Sequence, residues 1–360
     1  LDQHVNSQEQ DSPITIETKE MVVNGGLVYV TDVTPGITRK RAGKGFAYYL
    51  PDGKLLADRT ERKRINALAI PPAYGKVWIS PEPLGHLQAT GRDDRGRKQY
   101  RYHADWQSLR EQRKFAHLVA FAEALPGIRE QIDHDLRRRG PTFEKAVATV
   151  VFLMDKLLIR VGNREYARTN ESYGLTTLTE EHVDLEGNRL RFHFRGKSGR
   201  EWSLHHTDRR IARVIRSLQE LPGQHLFRYV DGEGVVHAVD SADVNAYIQE
   251  LAGESFTSRQ FRTWAATTEC ALQLAGETPA SSKRDNARIV NATLDRVCKR
   301  LGNTRTVCRN SYVHPRVFES FEAGELAGHL APETEDDAAL DDRMTLGERR
   351  VLAWLKSATA

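Results

Sequence analysis

Cysteine is scarce in this chain of 360 residues: Cys270, Cys298 and Cys308 are all it contains. Three scattered thiols exclude a disulfide framework and a cysteine-built zinc site, and they fit a reducing compartment. Long apolar runs are missing too. Charged residues make up 28% of the chain, mean hydropathy is −0.57, and no stretch is apolar for long enough to span a membrane. Residues 1–10 have neither a basic leader nor an apolar core, so they do not read as a signal peptide. No internal repeat or low-complexity tract is evident. Nothing has the form of a phosphate-binding glycine loop or of carboxylates spaced for a metal ion. Basic residues vanish between Phe321 and Asp342, where there are 8 acids and no Lys or Arg. The acid-rich part, 331–342, reads as a solvated linker ahead of a short helix over 345–355.

What is present is positive charge, unevenly placed. From Arg39 to Lys114 there are 18 Lys or Arg against 8 Asp or Glu, a net of +10, although the whole chain carries only +4. A cationic field concentrated in about a fifth of the chain suits a surface that tracks phosphates. A chain of this length also buries a substantial core and accommodates two domains.

The pattern along the chain changes near residue 104. Residues 1–20 are polar and aperiodic, which predicts a mobile tail. Strand character follows over 27–33 and a basic loop over 38–45. A hairpin is expected from 46–50 and 54–56 around a Pro-Asp-Gly turn. A short helix over 61–68 must stop at the Pro71-Pro72 pair, and 76–80 is a strand. The run from Leu87 to His103 interleaves Arg92, Arg95, Arg97, Lys98 and Arg101 with Tyr100 and Tyr102. In such a run the cations can hold a nucleic-acid backbone while Gln99 and the tyrosines reach base edges or sugars. A charged hairpin with ordinary strand aromatics would look the same.

Beyond residue 106 helices dominate. One is expected over 106–125 with Pro126-Gly127 as its stop, and a second over 128–138. Thr142 is a candidate N-cap for a third, whose apolar positions Val147, Val151, Met154, Leu157, Leu158 and Val161 recur every three or four residues. Arg160 interrupts that apolar series. A β-hairpin over 189–204 turns at Arg195–Gly199 and carries Lys197 at its tip. Helices are then expected over 207–221, 241–251, 257–274 and 281–301. The last leads into Leu301–Pro315, where Asn303 and Tyr312 stand nine residues apart ahead of a helix-ending proline.

Taken together these segments resemble the type IB DNA topoisomerases, in particular the small poxvirus-like enzymes found in bacteria. The segment around Leu158–Gly162 is similar to the first arginine box and selects Arg160. Phe194–Gly199 resembles the lysine box and selects Lys197. Arg259–Trp264 resembles the second arginine box, with Arg262 in the role. Asn303 stands where the poxvirus enzymes have histidine, and Tyr312 stands as the nucleophile. Each box is weak alone. The five residues in this order, separated by 37, 65, 41 and 9 residues, are specific together. Ile70–Tyr74, Val77–Ile79 and Gln99–Tyr102 resemble the family's N-terminal domain, which implies that Gln99, Tyr100 and Tyr102 lie against a DNA groove, with Arg92, Arg97 and Lys98 beside them.

The resemblance implies an α+β fold: a small β-rich N-terminal domain, and a mainly helical catalytic domain of the topoisomerase IB/tyrosine recombinase type with a β-hairpin. The expected divisions are 1–20 as tail, 21–105 as DNA-binding domain, 106–330 as catalytic domain and 331–360 as acidic linker with terminal helix. It implies relaxation of supercoiled double-stranded DNA through a 3′-phosphotyrosyl intermediate. No ATP, metal or other cofactor is implied. The partner is duplex DNA, clamped by a monomer away from membranes, in a cytoplasmic, nucleoid-associated setting. Such chemistry needs an in-line phenol, cations for the nonbridging oxygens and an acid for the leaving 5′ oxygen. Arginine suits the second task and lysine the third. Asparagine at 303 can donate a hydrogen bond but cannot transfer a proton. Two other readings stand beside this one. A tyrosine recombinase shares the chemistry but would have His-x-x-Arg where this chain has Arg259-x-x-Arg262, and a non-catalytic DNA-binding module would not need all five residues.

Overall fold

In a computed structural model the described residues are 13–253, 256–330 and 343–357. The chain divides into two compact units, residues 1–115 and 116–360, and the division falls inside one helix.

The first unit is built on an antiparallel sheet. Its strands are β1 (Ile37–Ala42), β2 (Gly45–Tyr49), β3 (Gly75–Ile79), β4 (Leu87–Arg92) and β5 (Lys98–Tyr102), in the order β2-β1-β3-β4-β5. Two helices accompany them, α1 (Pro13–Asn24) ahead of β1 and α2 (Arg59–Ala67) between β2 and β3. Ile65 of α2 packs with Ile37, Tyr48, Leu56, Val77, Ile79 and Ala89, which closes one face of the sheet. Asp58 caps α2 by accepting from the Glu61 amide at 2.9 Å. Arg64 fixes the helix to the sheet through Gln88 and the Ser80 carbonyl. A second cluster joins Val22, Leu27 and Trp106, with the His86 ring stacked on Tyr29 and set edge-on to Trp106.

Three sequence expectations change in this unit. Part of the expected tail is helical, since α1 begins at Pro13; residues 1–12 lie outside the described residues. The expected strand over 27–33 reduces to a single bridge between Val28 and Gly85. The expected basic loop is instead β1, paired with β2 from Thr38↔Tyr49 to Ala42↔Gly45. Arg39 explains this last case. Its guanidinium lies 4.1 Å from the Phe46 ring centroid and donates to the Ile70, Pro71 and Tyr74 carbonyls, so a residue read as loop charge is a structural tie.

Helix α3 (Ala104–Asp135) contains the division between units. It passes straight through Pro126, where the sequence predicts a stop. Leu118, Phe121, Ala122, Leu125, Ile128 and Ile132 are all buried and continue one apolar stripe across the proline. Burial on both sides outweighs the one backbone hydrogen bond that proline removes.

The second unit is organised round α4 (Phe143–Leu157), whose residues Ala146–Met154 are all buried. The expected cap is in place: Thr142 Oγ1 accepts from the Lys145 amide at 3.4 Å. After α5 (Arg164–Asn170) come β6 (Val183–Glu186), β7 (Arg189–Arg195) and β8 (Glu201–Thr207), an antiparallel sheet. Next are α6 (Arg209–Gln219), the short pair β9 (Arg228–Val230) and β10 (Val236–Ala238), and α7 (Ser241–Ala252). Then follow α8 (Ser258–Ala275), α9 (Lys283–Leu301), α10 (Arg305–Ser311), α11 (Arg316–Glu322), α12 (Leu326–His329) and α13 (Leu346–Lys356). Helix α4 packs on α6, α7 and α8; α8 packs in turn on α9, α11, α12 and α13. The expected acidic linker, 331–342, lies outside the described residues. Among the described residues no helix is long and apolar enough to cross a membrane.

A buried ionic cluster ties α13 to this core. Arg129 of α3 pairs with Asp155 at 3.0 Å and Glu348 at 2.9 Å, and Trp264 Nε1 donates to Glu348 at 3.0 Å. Glu348 also completes a capping box with Thr345. Removing one member of a buried pair leaves the other charge uncompensated, typically a loss of about 3–5 kcal/mol. Arg129→Ala should therefore lower unfolding free energy by about that amount in urea titration. A change below about 1 kcal/mol, the scale of an exposed pair, would show that the cluster is solvated in solution.

Candidate active site

The site grows from the ends of three helices. Leu158, just past α4, turns into the left-handed region with φ 57°. A bulky residue pays about 1–2 kcal/mol for that conformation, here held by its fully buried side chain. The turn aims the Leu158 carbonyl at Arg262 of α8, which donates to it and, at 2.7 Å, to the Leu301 carbonyl at the end of α9. Arg262 is only 3% exposed, so these two carbonyls replace water for a guanidinium taken out of solvent.

Arg160 follows the same turn. Its carbonyl and that of Val161 accept from the Leu175 and Thr176 amides at 2.9 and 2.7 Å. The two segments pass so closely that a Cβ on Gly174 would lie 2.6 Å from the Arg160 carbonyl oxygen and from the Gly162 Cα. Glycine at 174 is what allows the approach. The Arg160 guanidinium donates to Asn303 Oδ1. The Asn303 amide nitrogen is buried and, among the described residues, has no hydrogen-bond partner.

Tyr312 ends α10, a helix begun by the Thr304 cap. Thr267 of α8 donates to the Tyr312 carbonyl at 3.2 Å and accepts from the His314 amide at 3.1 Å, which fixes the main chain on both sides of Val313. The guanidinium carbons of Arg262 and Arg259 lie 5.3 and 5.6 Å from the Tyr312 ring centroid. Burial pushes the phenol pKa up, but the charge and hydrogen-bonding of Arg262, with Arg160 and Arg259 behind it, outweigh burial and leave the net shift downward. Burial, with the neighbouring Arg160 charge, brings Arg262 down to about 10. Burial also lowers Arg160.

Thus Arg160, Arg262, Asn303 and Tyr312 come together. Lys197 does not join their hydrogen-bond cluster. It is exposed at the turn between β7 and β8, and among the described residues it makes no hydrogen bond or ion pair. The strands below it are in register from Arg189↔Thr207 to Arg195↔Glu201. Arg259 is a residue that sequence reasoning passed over as a flank of its box. Its signal was the three-residue spacing from Arg262, which puts both on one side of α8.

The basic run of the first unit divides between two faces of edge strand β5. Lys98, Tyr100 and Tyr102 share one face, with the tyrosine rings stacked at 6.1 Å. Tyr100 is exposed. Gln99 points the other way, its amide donating to Asp93 at 3.0 Å. Asp93 also pairs with Arg97 at 2.8 Å, Lys98 pairs with Asp32 at 2.6 Å, and Arg92 donates to the Gly96 carbonyl. Several candidate DNA contacts therefore have protein partners of their own.

Comparison with known proteins decides the family. Residues 103–327 match the catalytic core of eukaryotic DNA topoisomerase I, and residues 45–93 match the N-terminal domain of bacterial DNA topoisomerase IB. The chain belongs to the type IB DNA topoisomerases. It is 32% identical over 297 residues to DNA topoisomerase 1B of Acanthamoeba polyphaga mimivirus, covering 80% of this chain and 88% of that one. The monkeypox virus DNA topoisomerase I is 20% identical over 252 residues, 68% of this chain and 75% of its own. Membership in this family sets aside the recombinase and the non-catalytic module, and makes the chain a topoisomerase acting on DNA.

With Tyr312 as the attacking group, the lowered phenol pKa would have a kinetic consequence. Single-turnover cleavage should rise with pH through an apparent pKa below the ordinary tyrosine value of about 10. Arg259→Gln removes one of the cations that favour phenolate, so the apparent pKa should move upward. An unchanged pH–rate profile in the variant would mean that Arg259 does not act on the phenol.

Proposed function

We propose that the chain relaxes supercoiled duplex DNA as a monomer, through a 3′-phosphotyrosyl intermediate and without ATP or a metal ion. The observation that carries this reading is the Tyr312 phenol, half-buried beside Arg262 and lowered in pKa, with an Asn303 N–H in the same cluster that has no hydrogen-bond partner among the described residues. In the proposed step the Tyr312 phenolate oxygen bonds to phosphorus while the bond to the 5′ oxygen breaks. Lys197 gives that oxygen a proton, with Arg160 assisting. Arg262 and the Asn303 amide take the charge that builds on the nonbridging oxygens. The bond energy stays in the tyrosyl ester, so reversal by the free 5′ hydroxyl needs no nucleotide.

The position of Asn303 supports its assigned part. With Oδ1 accepting from Arg160, only the N–H donors remain for a phosphate oxygen. Arg262 fits a fixed electrostatic role, because its anchoring carbonyls leave it little freedom to reorganise. The exposed hairpin lysine fits a group that meets DNA only when the duplex is bound. The face of β5 with Tyr100 and Tyr102 is the proposed groove contact, with Lys98, Arg92 and Arg97 nearby. Gln99 faces the other way, onto Asp93, and would reach DNA only from that side of the strand. The setting of such an enzyme is the nucleoid.

Tyr312→Phe should abolish relaxation, measured with EDTA present and ATP absent, while noncovalent DNA binding stays within a few fold. Relaxation by the purified variant would move the nucleophile to another residue. Lys197→Ala should slow cleavage on the order of 10²-fold on a normal substrate. It should recover most of the loss when sulfur replaces the scissile 5′ oxygen, since a thiolate departs with little protonation. Arg262→Ala should stay slow on both substrates. Equal defects of Lys197→Ala on oxygen and sulfur would reject the general-acid role.

For the first unit, Lys98→Ala should flatten the plot of log affinity against log salt by about one phosphate contact, a slope change of about 0.9. An unchanged slope would remove Lys98 from the DNA surface.

A further inference from the structure

We propose that Trp202 is a positioning residue for Lys197, holding the lysine hairpin against the end of α9; this rests on the general-acid reading of Lys197. The indole, 8% exposed, sits on β8 opposite Phe194, and the two aromatic systems stack at 6.2 Å. Its two ends reach two different glycines. A Cβ on Gly196, the residue before Lys197, would lie 2.5 Å from the indole Nε1 and 2.7 Å from Cδ1. A Cβ on Gly302, the residue before Asn303, would fall inside the six-membered ring's contact distance at Cζ2. One flat, rigid side chain therefore fills the space of both missing methyl groups.

The contacts around the indole make it a bridge and not a loose packing residue. Gly302 has φ 65° and ends α9 with its amide on the Cys298 carbonyl at 2.8 Å; the Asn303 amide shares that carbonyl at 3.2 Å. Asn303 thus leaves a helix end against which the indole is pressed. At the other end, the Gly196 amide closes the hairpin on the Arg200 carbonyl at 2.8 Å. Arg200 lies 5.3 Å from the indole and donates to the Lys299 carbonyl in the last turn of α9 at 2.8 Å. Indole, guanidinium and two glycines form a joint between hairpin and helix. Lys197 itself has no side-chain anchor among the described residues, so its placement depends on the main chain this joint holds.

A displacement of about 1 Å at a reacting group can cost on the order of 10²-fold in rate. The test measures single-turnover cleavage by the full chain on duplexes with oxygen or sulfur at the 5′ leaving position, alongside DNA affinity and thermal melting. Trp202→Ala should slow oxygen cleavage by about 10-fold or more. It should recover most of that loss on sulfur and leave DNA affinity within a few fold. Gly196→Ala keeps the indole and an ordinary backbone (φ −98°) but drives a methyl group into the ring. It should show the same recovery, and it carries the test if Trp202→Ala melts too early to assay. The double variant Lys197→Ala/Trp202→Ala should be no slower than Lys197→Ala alone. If Lys197→Ala recovers on sulfur and neither Trp202→Ala nor Gly196→Ala does, the positioning role is overturned while the general acid stands. If Lys197→Ala itself fails to recover, the general-acid reading falls. The double variant then still decides whether Trp202 acts through the lysine, and additive losses on oxygen would refute it.

Discussion

A guanidinium almost without water is the constraint to which the second unit is built. Arg262 would be costly to bury alone, and the structure offsets that cost with carbonyls from two helix ends, Leu158 after α4 and Leu301 in α9. Those helices must therefore end where they do. The left-handed turn at Leu158, the start of the Arg160 segment and the exit of α9 toward Asn303 all take their places from one side chain. The same buried charge acts on the Tyr312 phenol. Stability and reactivity draw on a single interaction here.

The architecture spreads the site over elements far apart in sequence and then limits their freedom locally. Arg160 is fixed through its main chain by the Gly174–Thr176 segment, and Tyr312 through its carbonyl by Thr267. Neither constraint touches the reacting side-chain atoms. The groups are held from behind, which in the proposed step would leave their side-chain ends for a phosphate. Lys197 is the exception, since only the hairpin holds it.

Much of this was legible in the sequence, for reasons that differ by residue. The Thr142 cap was found because it is a local interaction, with the side chain accepting from the Lys145 amide three residues on. The candidate site residues came from the family resemblance, which fixes their order and intervals, and Arg160, Arg262, Asn303 and Tyr312 lie together in the structure. What failed was set by distant partners. Pro126 reads as a stop until the buried stripe on both sides of it is known. Arg39 reads as loop charge because the carbonyls it ties lie 31–35 residues on. Gln99 was grouped with Tyr100 and Tyr102, although neighbouring strand residues point to opposite faces. Trp202 gave no signal at all, since one of its two glycine partners, Gly302, lies 100 residues on.

The hold on Tyr312 also defines a path for mechanical load. In the proposed intermediate a DNA strand hangs from the phenolic oxygen while the duplex beyond it swivels under torque. Strain would then enter the protein at the end of α10 and pass into α8 through the Thr267 hydroxyl, which grips the chain on both sides of Val313. From α8 it reaches Trp264 and, through Glu348, the buried Arg129. In that proposed intermediate the cluster would act as an abutment, bracing α8 behind the anchor point.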